Sequence, residues 1–280
     1  MVTKELCSIS SEISLPQFDY PRSRYRVFQP NSELFNHHSV GKLQGKVVLI
    51  TGTDSKIIRA IAISHAIEGG KVAIFHKNDI YVENTIEIFQ NIIHRECLVI
   101  KGDVSNYDDC TFAIASVVEH FGKLDILVNN IAYQAGEKFD YISHEQFRCQ
   151  KEIDIFNLSM VKAALPYLKK GNVIINTGNI VSQINKGMSI DGAISRDAVQ
   201  IFTRLLAKNL DKQRIGVSSI VQEILACNMP ITKLEKQRNH DFVTDGVISL
   251  KALSSAYVLL GCSNIFTGVV YDVANQHLSS

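Results

Sequence analysis

Long hydrophobic runs, an excess of charge and clustered cysteines are all missing from this 280-residue chain. No stretch approaches the ~18 uncharged apolar residues that span a bilayer, and the opening MVTKELCSISSEISLPQF has no apolar core of a secretory signal. The 29 Lys plus Arg nearly cancel the 28 Asp plus Glu, so a formal charge of +1 offers no general field toward nucleic acid or anionic lipid. Six cysteines, at 7, 97, 110, 149, 227 and 262, show neither C-x-x-C nor a Cys/His ligand spacing. A zinc site and a disulfide scaffold are therefore not indicated, and reduced thiols in a cytoplasmic protein are expected. Glycine is slightly scarce as well: 16 in 280 residues is about 5.7%, against an average near 7%.

What remains is an ordinary globular composition, 46% hydrophobic and 20% charged. Such a length buries roughly three quarters of its unfolded surface, and α/β chains of about 250 residues commonly form one domain. Residues 1–42 stand apart. They carry Pro16, Pro21 and Pro30 among Phe18, Tyr20, Tyr25, Phe28 and Phe35, with neither helical nor strand period. An extended arm lying on the body or on a neighbouring subunit is expected.

Across 43–280, short runs rich in β-branched residues alternate with longer amphipathic stretches. Strands are expected at Val47 to Thr51, Lys71 to Phe75, Cys97 to Lys101, Ile126 to Asn129, Asn172 to Asn176, Gly216 to Val221 and Val269 to Val273. Because these runs are apolar almost throughout, both faces must be covered, which calls for a parallel sheet between helices. Right-handed crossovers then give an α/β, Rossmann-like, doubly wound, mainly parallel seven-stranded sheet with helices on both faces, as a single domain. Helices are expected at Lys56 to Glu68, Tyr81 to His94, Asp108 to Phe121, His144 to Leu168 and Ala193 to Asp211. The last spaces Val199, Phe202, Leu206 and Leu210 along one face and leaves Arg204 and Lys208 for another.

VVLITG at 47–52, GDVS at 102–105, LDILVNNIA at 124–132 and NVIINTG at 172–178 follow one another in order on these strands. Together they resemble the short-chain dehydrogenase/reductase family over about 43–276, and the proline-containing leader before GKLQGKVVLITG is similar to the subgroup with an N-terminal extension. The resemblance implies NAD or NADP beyond the strand C-termini and a homo-oligomer, dimer or tetramer.

The family's first turn reads TGxxxGxG, where glycines let the backbone and the helix N-terminus approach a diphosphate. Here Gly52 is followed by Thr53, Asp54, Ser55, Lys56, Ile57 and Ile58, so Lys56 and Ile58 occupy the later glycine positions. A reshaped or plugged cofactor loop is expected, with Lys56 able to offer a point charge to phosphate. Asp103, Val104, Asn129, Ile131 and Thr177 match positions that touch adenine and ribose in the family; as plain structural residues they would simply end buried strands. His76 and Lys77 follow the second strand, where an acidic residue would favour a ribose diol, so NADP is expected slightly ahead of NAD.

The family's catalytic set is Ser, Tyr-x-x-x-Lys and a supporting Asn. Aligning NVIINTG places Asn179 at the Ser position, Gly192 at the Tyr position, Arg196 at the Lys position and Asp154 at the Asn position. None of the nine tyrosines has Lys four residues later, and glycine cannot donate a proton. Gln222 and Glu223 replace the proline-glycine element after the sixth strand, and Asn275 and Gln276 replace a terminal Gly-Gly. The leading expectation is a redox-inactive binding, regulatory or assembly protein with a possible protein partner, holding dinucleotide weakly or not at all. Two alternatives stay open. One is an NADP(H)- or NAD(H)-dependent oxidoreductase with a non-standard site near Tyr133, Asp154, Asn179 or Arg196; the other is a non-redox enzyme using Asp154 as base and Arg196 as anion clamp. KLEKQR at 233–238 falls where the family has a substrate lid, with a solvated helix as the plain alternative.

Overall fold

A computed structural model describes residues 25–28, 40–52, 56–77, 82–130, 158–180, 190–223, 250–273 and 277–279. The strands are β1 (Tyr25–Phe28), β2 (Val47–Thr51), β3 (Lys71–His76), β4 (Cys97–Lys101), β5 (Ile126–Asn129), β6 (Val173–Ile180), β7 (Gly216–Glu223), β8 (Val270–Asp272) and β9 (His277–Ser279). They form one sheet in the order β1-β4-β3-β2-β5-β6-β7-β8-β9. The seven from β4 to β8 run parallel, as the uninterrupted apolar runs require, and β1 and β9 add an antiparallel strand at each edge.

The helices are α1 (Lys56–Ile67), α2 (Val82–Ile88), α3 (Tyr107–Phe121), α4 (158–164), α5 (Ile190–Leu210) and α6 (Leu250–Cys262). Period-two alternation divides the strand side chains between two cores. Val48, Ile50, Val72, Ile74, Val128 and Ile175 face α1 and α6, while Leu49, Ala73, Leu98, Leu127 and Ile174 face α3, α4 and α5. Asn106 caps α3 by accepting from the amides of Asp108 and Asp109, and Gly122 ends it at φ +81°.

The structure adds two elements that were not expected, β1 and α6, and changes the course of the helix expected to run to His94. Residues 25–28 of the arm form a strand, because edge pairing uses backbone groups and needs no side-chain period. The helix expected to run to His94 breaks after Ile88 into a π-helical turn, Phe89–Ile93, closed by His94 at φ +51°. The helix α6 was not expected, although Leu253, Ala256, Tyr257 and Leu260 recur at helical spacing and are buried. On α5, Val199 and Leu210 are buried as expected, Phe202 and Leu206 partly, and Thr203 and Ala207 join them.

At the N-terminal edge of the sheet, Asp125 gathers three central strands. Its carboxylate accepts from the Val47 amide at 2.8 Å and from Asn172 Nδ2 at 3.2 Å, and pairs with Lys123 at 2.9 Å. These contacts tie the starts of β2 and β6 to the residue before β5 and hold the parallel register. No described helix is long and apolar enough to cross a membrane. Cys97 and Cys110 are buried free thiols; burial, with a smaller contribution from nearby carboxylates, pushes Cys110 up to about 12.

His65 lies wholly inside the α1–α6 contact. Its Nδ1 pairs with the Ile61 carbonyl at 2.8 Å, whereas Nε2 has no partner and faces Gly261. Burial lowers its pKa to about 4, only partly opposed by the Ile61 bond. The folded state thus rejects a proton that the unfolded chain accepts below about pH 6.5. Stability is complete above that pH and falls by about 1.4 kcal/mol per unit as pH drops toward 4, some 3 kcal/mol in all. Urea unfolding at pH 7, 6 and 5 will show this slope, and His65→Leu will remove its share of it.

Candidate functional site

The direction of chain winding reverses between β2 and β5, since β3 and β4 lie to one side of β2 and β6 to β8 lie beyond β5. Ligands of doubly wound sheets sit beyond the strand C-termini at such a point. Gly52 follows β2 there and Asn130 follows β5. Gly52 adopts φ +132°, and a Cβ on it would lie 2.1 Å from the Asn130 carbonyl oxygen and 2.9 Å from Ile58 Cδ1. Only glycine allows the strand end, the opposing backbone and the start of α1 to meet so closely. Asn130 is 5% exposed, and its Oδ1 has no protein partner.

Ile58 is 1% exposed and belongs to the core shared by β2, α1 and α6. Lys56 opens α1. Asp54, Ser55, Ile131 and Asp154, like Tyr133 and the run at 233–238, lie outside the described residues. Asn179 is the penultimate residue of β6, opposite Gln222 of β7, while Gly192 falls in the first turn of α5 and Arg196 about one turn later.

Below the crevice a polar row crosses four strands. Thr51, Asn129, Asn176 and Ser219 are register neighbours on one face, and each is 0% exposed. Asn129 Nδ2 donates to Asn176 Oδ1 at 3.1 Å, and Asn176 Nδ2 donates to Thr203 Oγ1 on α5 at 3.0 Å. Thr51 Oγ1 donates to the Val128 carbonyl at 3.3 Å. Asn129 thus does structural work, leaving Oδ1 without a protein partner, as is Ser219 Oγ. On the opposite face Thr177 and Tyr257 share a hydroxyl hydrogen bond of 2.7 Å, which joins β6 to α6. Asn130, Asn176 and Thr203 were not singled out from the sequence; for Asn130 and Asn176 the available signal was a polar residue ending an otherwise apolar run.

The ends of β3 and β4 form the outer side of the crevice. Gly102 N–H donates to the His76 carbonyl at 2.9 Å, and a Cβ on Gly102 would fall 2.6 Å from the Phe75 ring. His76 is buried, and Val104 packs against the core. Lys77 Nζ lies 2.6 Å from Asp103 Oδ2, and the Ser105 amide donates to Asp103 Oδ1 at 2.9 Å. Burial works to raise the Asp103 pKa, but the Lys77 ammonium and the Ser105 donors outweigh it and hold the carboxyl below its usual range.

The sheet and its reversal between β2 and β5 define a doubly wound, Rossmann-like α/β protein. The chain belongs to the short-chain dehydrogenase family, whose sequence model, short chain dehydrogenase, matches residues 46–238. It is 39% identical over 196 residues to "Uncharacterized oxidoreductase YhdF" of Bacillus subtilis (strain 168), covering 68% of this chain and 67% of that protein. Over 260 residues it is 27% identical to "Glucose and ribitol dehydrogenase homolog 2" of Arabidopsis thaliana, with 87% and 90% covered. The fold matches the short-chain dehydrogenase/reductase from Serratia marcescens BCRC 10948 with a TM-score of 0.70 at 20% identity, covering 84% of this chain and 100% of that one. A dehydrogenase/reductase from Sinorhizobium meliloti 1021 gives 0.71 at 22% identity, covering 84% and 96%. This is an oxidoreductase-type member of the family.

The fit of Gly52 against Asn130 is a measurable constraint. Gly52→Ala will cost about 3 kcal/mol or more in urea unfolding, because the added carbon meets backbone. Gly122→Ala, where a Cβ meets nothing within 4 Å, will cost about 1 kcal/mol from its positive φ alone.

Proposed function

We propose that this protein binds a nicotinamide dinucleotide at the β2–β5 crevice and is an oxidoreductase whose proton transfer does not use a Tyr-x-x-x-Lys pair. The observation that carries this reading is the close approach of Gly52 to Asn130, which keeps backbone rather than side chain at the strand end. Ile58 supports it by packing into the core, and the unpartnered, buried Asn130 Oδ1 is a polar group suited to a ligand. Gly52, Asn130 and the first turn of α1 would hold the diphosphate side, and Asp103, Val104 and Thr177 the adenosine side and the floor. When bound, the dinucleotide supplies or accepts hydride, and the accompanying proton belongs to the protein. With Gly192 and Arg196 at the family positions, the candidates for that proton are Tyr133, Asp154 and solvent, and Asn179 is the candidate to orient the reacting oxygen. The order of NADP and NAD turns on Lys77, whose ammonium is engaged by Asp103.

A second reading rests on Gly192, which cannot donate a proton; loss of a general acid costs about 100-fold to 10,000-fold. On that reading the protein is a redox-inactive binding, regulatory or assembly protein. Either way a second copy is the favoured partner. Asp197, Ile201, Leu205 and Lys208 form an exposed stripe on α5, acidic at one end, apolar in the middle and basic at the other. Antiparallel pairing about a two-fold axis brings each Asp197 toward the other copy's Lys208 while covering Ile201 and Leu205. Free buried thiols at Cys97 and Cys110 fit a cytoplasmic location, and the strand at 25–28 fits the subgroup with an N-terminal extension.

Titration with NAD(H) and NADP(H) by calorimetry, followed by a panel of carbonyl and alcohol substrates, will separate the readings. Sub-millimolar binding with turnover is expected; binding without turnover leaves the second reading, and absence of binding overturns the first. In light scattering after size exclusion, Ile201→Glu with Leu205→Glu will convert an oligomer to a smaller species without changing the circular dichroism spectrum.

A further inference from the structure

The near balance of charge over the whole chain hides a local imbalance at the end of the sheet opposite the crevice. The loops leading into β5, β6 and β7, residues 122–125, 165–172 and 211–215, carry Lys123, Lys169, Lys170, Lys212 and Arg214 against Asp125 and Asp211, an excess of three positive charges. These loops lie side by side. Asn172 Nδ2 donates to Asp125 Oδ1 at 3.2 Å, and the Gly171 amide donates to the Arg214 carbonyl at 3.0 Å. Lys123 already engages Asp125 at 2.9 Å, so the acid that these loops leave exposed is Asp211. The loop into β8 extends the row: Asn264 Nδ2 donates to the Arg214 carbonyl at 2.9 Å, and a Cβ on Gly216 would fall 2.7 Å from Asn264 Cα. On that loop Phe266 packs toward the core, while its neighbour Ile265 is 73% exposed.

We propose that this edge docks on the surface of an anionic lipid bilayer, with the cations against headgroups and Ile265 among the outer acyl carbons. The ends of α3, α4 and α5 reach the same edge, and the partial negative charge of helix C-termini draws cations there. That attraction gives no reason to expose an isoleucine beside them. An exposed aliphatic residue within a basic field is the combination favoured at a boundary between water and anionic lipid. Nucleic acid fits less well. Four of the five cations are lysines, which act as point charges, and the aromatic residues of these loops, Tyr167 and Phe266, are partly buried against the cores rather than offered to a base. Neighbouring strands about 4.8 Å apart set the four loops within roughly 15 Å, so their cations act on one patch of headgroups. The crevice lies at the other end of the same parallel strands, so docking turns it away from the bilayer, and the inference does not depend on what the crevice binds.

Co-sedimentation of the full chain with vesicles tests this, using phosphatidylcholine alone and phosphatidylcholine with about a third phosphatidylserine. The protein will bind the anionic vesicles at least about tenfold more tightly than the neutral ones, and that preference will fall by about tenfold between roughly 50 mM and 300 mM salt. Lys169→Glu with Lys170→Glu will weaken anionic binding about tenfold or more while leaving the circular dichroism spectrum unchanged. Ile265→Ser will weaken it about threefold at both salt concentrations, because an apolar contact is not screened. Equal binding to the two vesicle types, binding to neither, or anionic binding that a folded lysine double variant retains overturns the inference. Tighter binding to a DNA duplex than to anionic vesicles, insensitive to Ile265→Ser, also overturns it and makes the edge a nucleic-acid surface. Should a variant fail to fold, the wild-type preference between the two vesicle types decides alone.

Discussion

The seam between β2 and β5 is the constraint from which the rest of this molecule follows. At its lower end the Asp125 carboxylate holds the first amide of β2 and the Asn172 side chain just before β6. At its upper end Gly52 and Asn130 come together at a distance no side-chain carbon tolerates. Because the winding reverses at this seam, its upper end opens into the crevice in which a doubly wound sheet receives its ligand. The register fixed by an acidic residue on one edge is therefore the register that positions the candidate site on the other.

The interior beneath the crevice is more polar than an all-apolar core would be. The row from Thr51 to Ser219 places four polar side chains where the strands would otherwise bury hydrocarbon, and Asn176 ties that row to α5 through Thr203. The linked side chains Asn129, Asn176 and Thr203 favour one arrangement, since a shift of β5 or β6 by one residue would leave them without these hydrogen bonds. The same helix begins with the segment holding Gly192 and Arg196, so the altered positions rest on a tightly specified support.

Much of the sheet was legible because parallel strands covered on both faces must be apolar throughout; β2, β4 and β5 fall at the expected bounds. The arm strand was not legible, since β1 pairs through its backbone and owes nothing to a side-chain pattern. Nor was the break after Ile88, where the chain changes from α to π winding while its apolar residues continue at Phe89 and Ile93. In the site, Gly52 was legible because a turn of this kind admits few other residues. Lys77 and Asp103 were each read as facing a ligand, and nothing local in the sequence pairs them. Their contact depends on the register between β3 and β4 and so exists only in three dimensions. Ile58 was read from its position in a motif, and its burial follows from the apolar stripe of α1.

β1 occupies the outer side of β4, with Tyr25 opposite Ile100 and Phe28 opposite Cys97. Without it, β4 would present a row of unpaired amides and carbonyls along an apolar strand, the template on which separate chains add to one another. β1 thus covers an edge that would otherwise be open to the addition of another strand. A shortened protein beginning near residue 43 would leave the outer side of β4 without this partner.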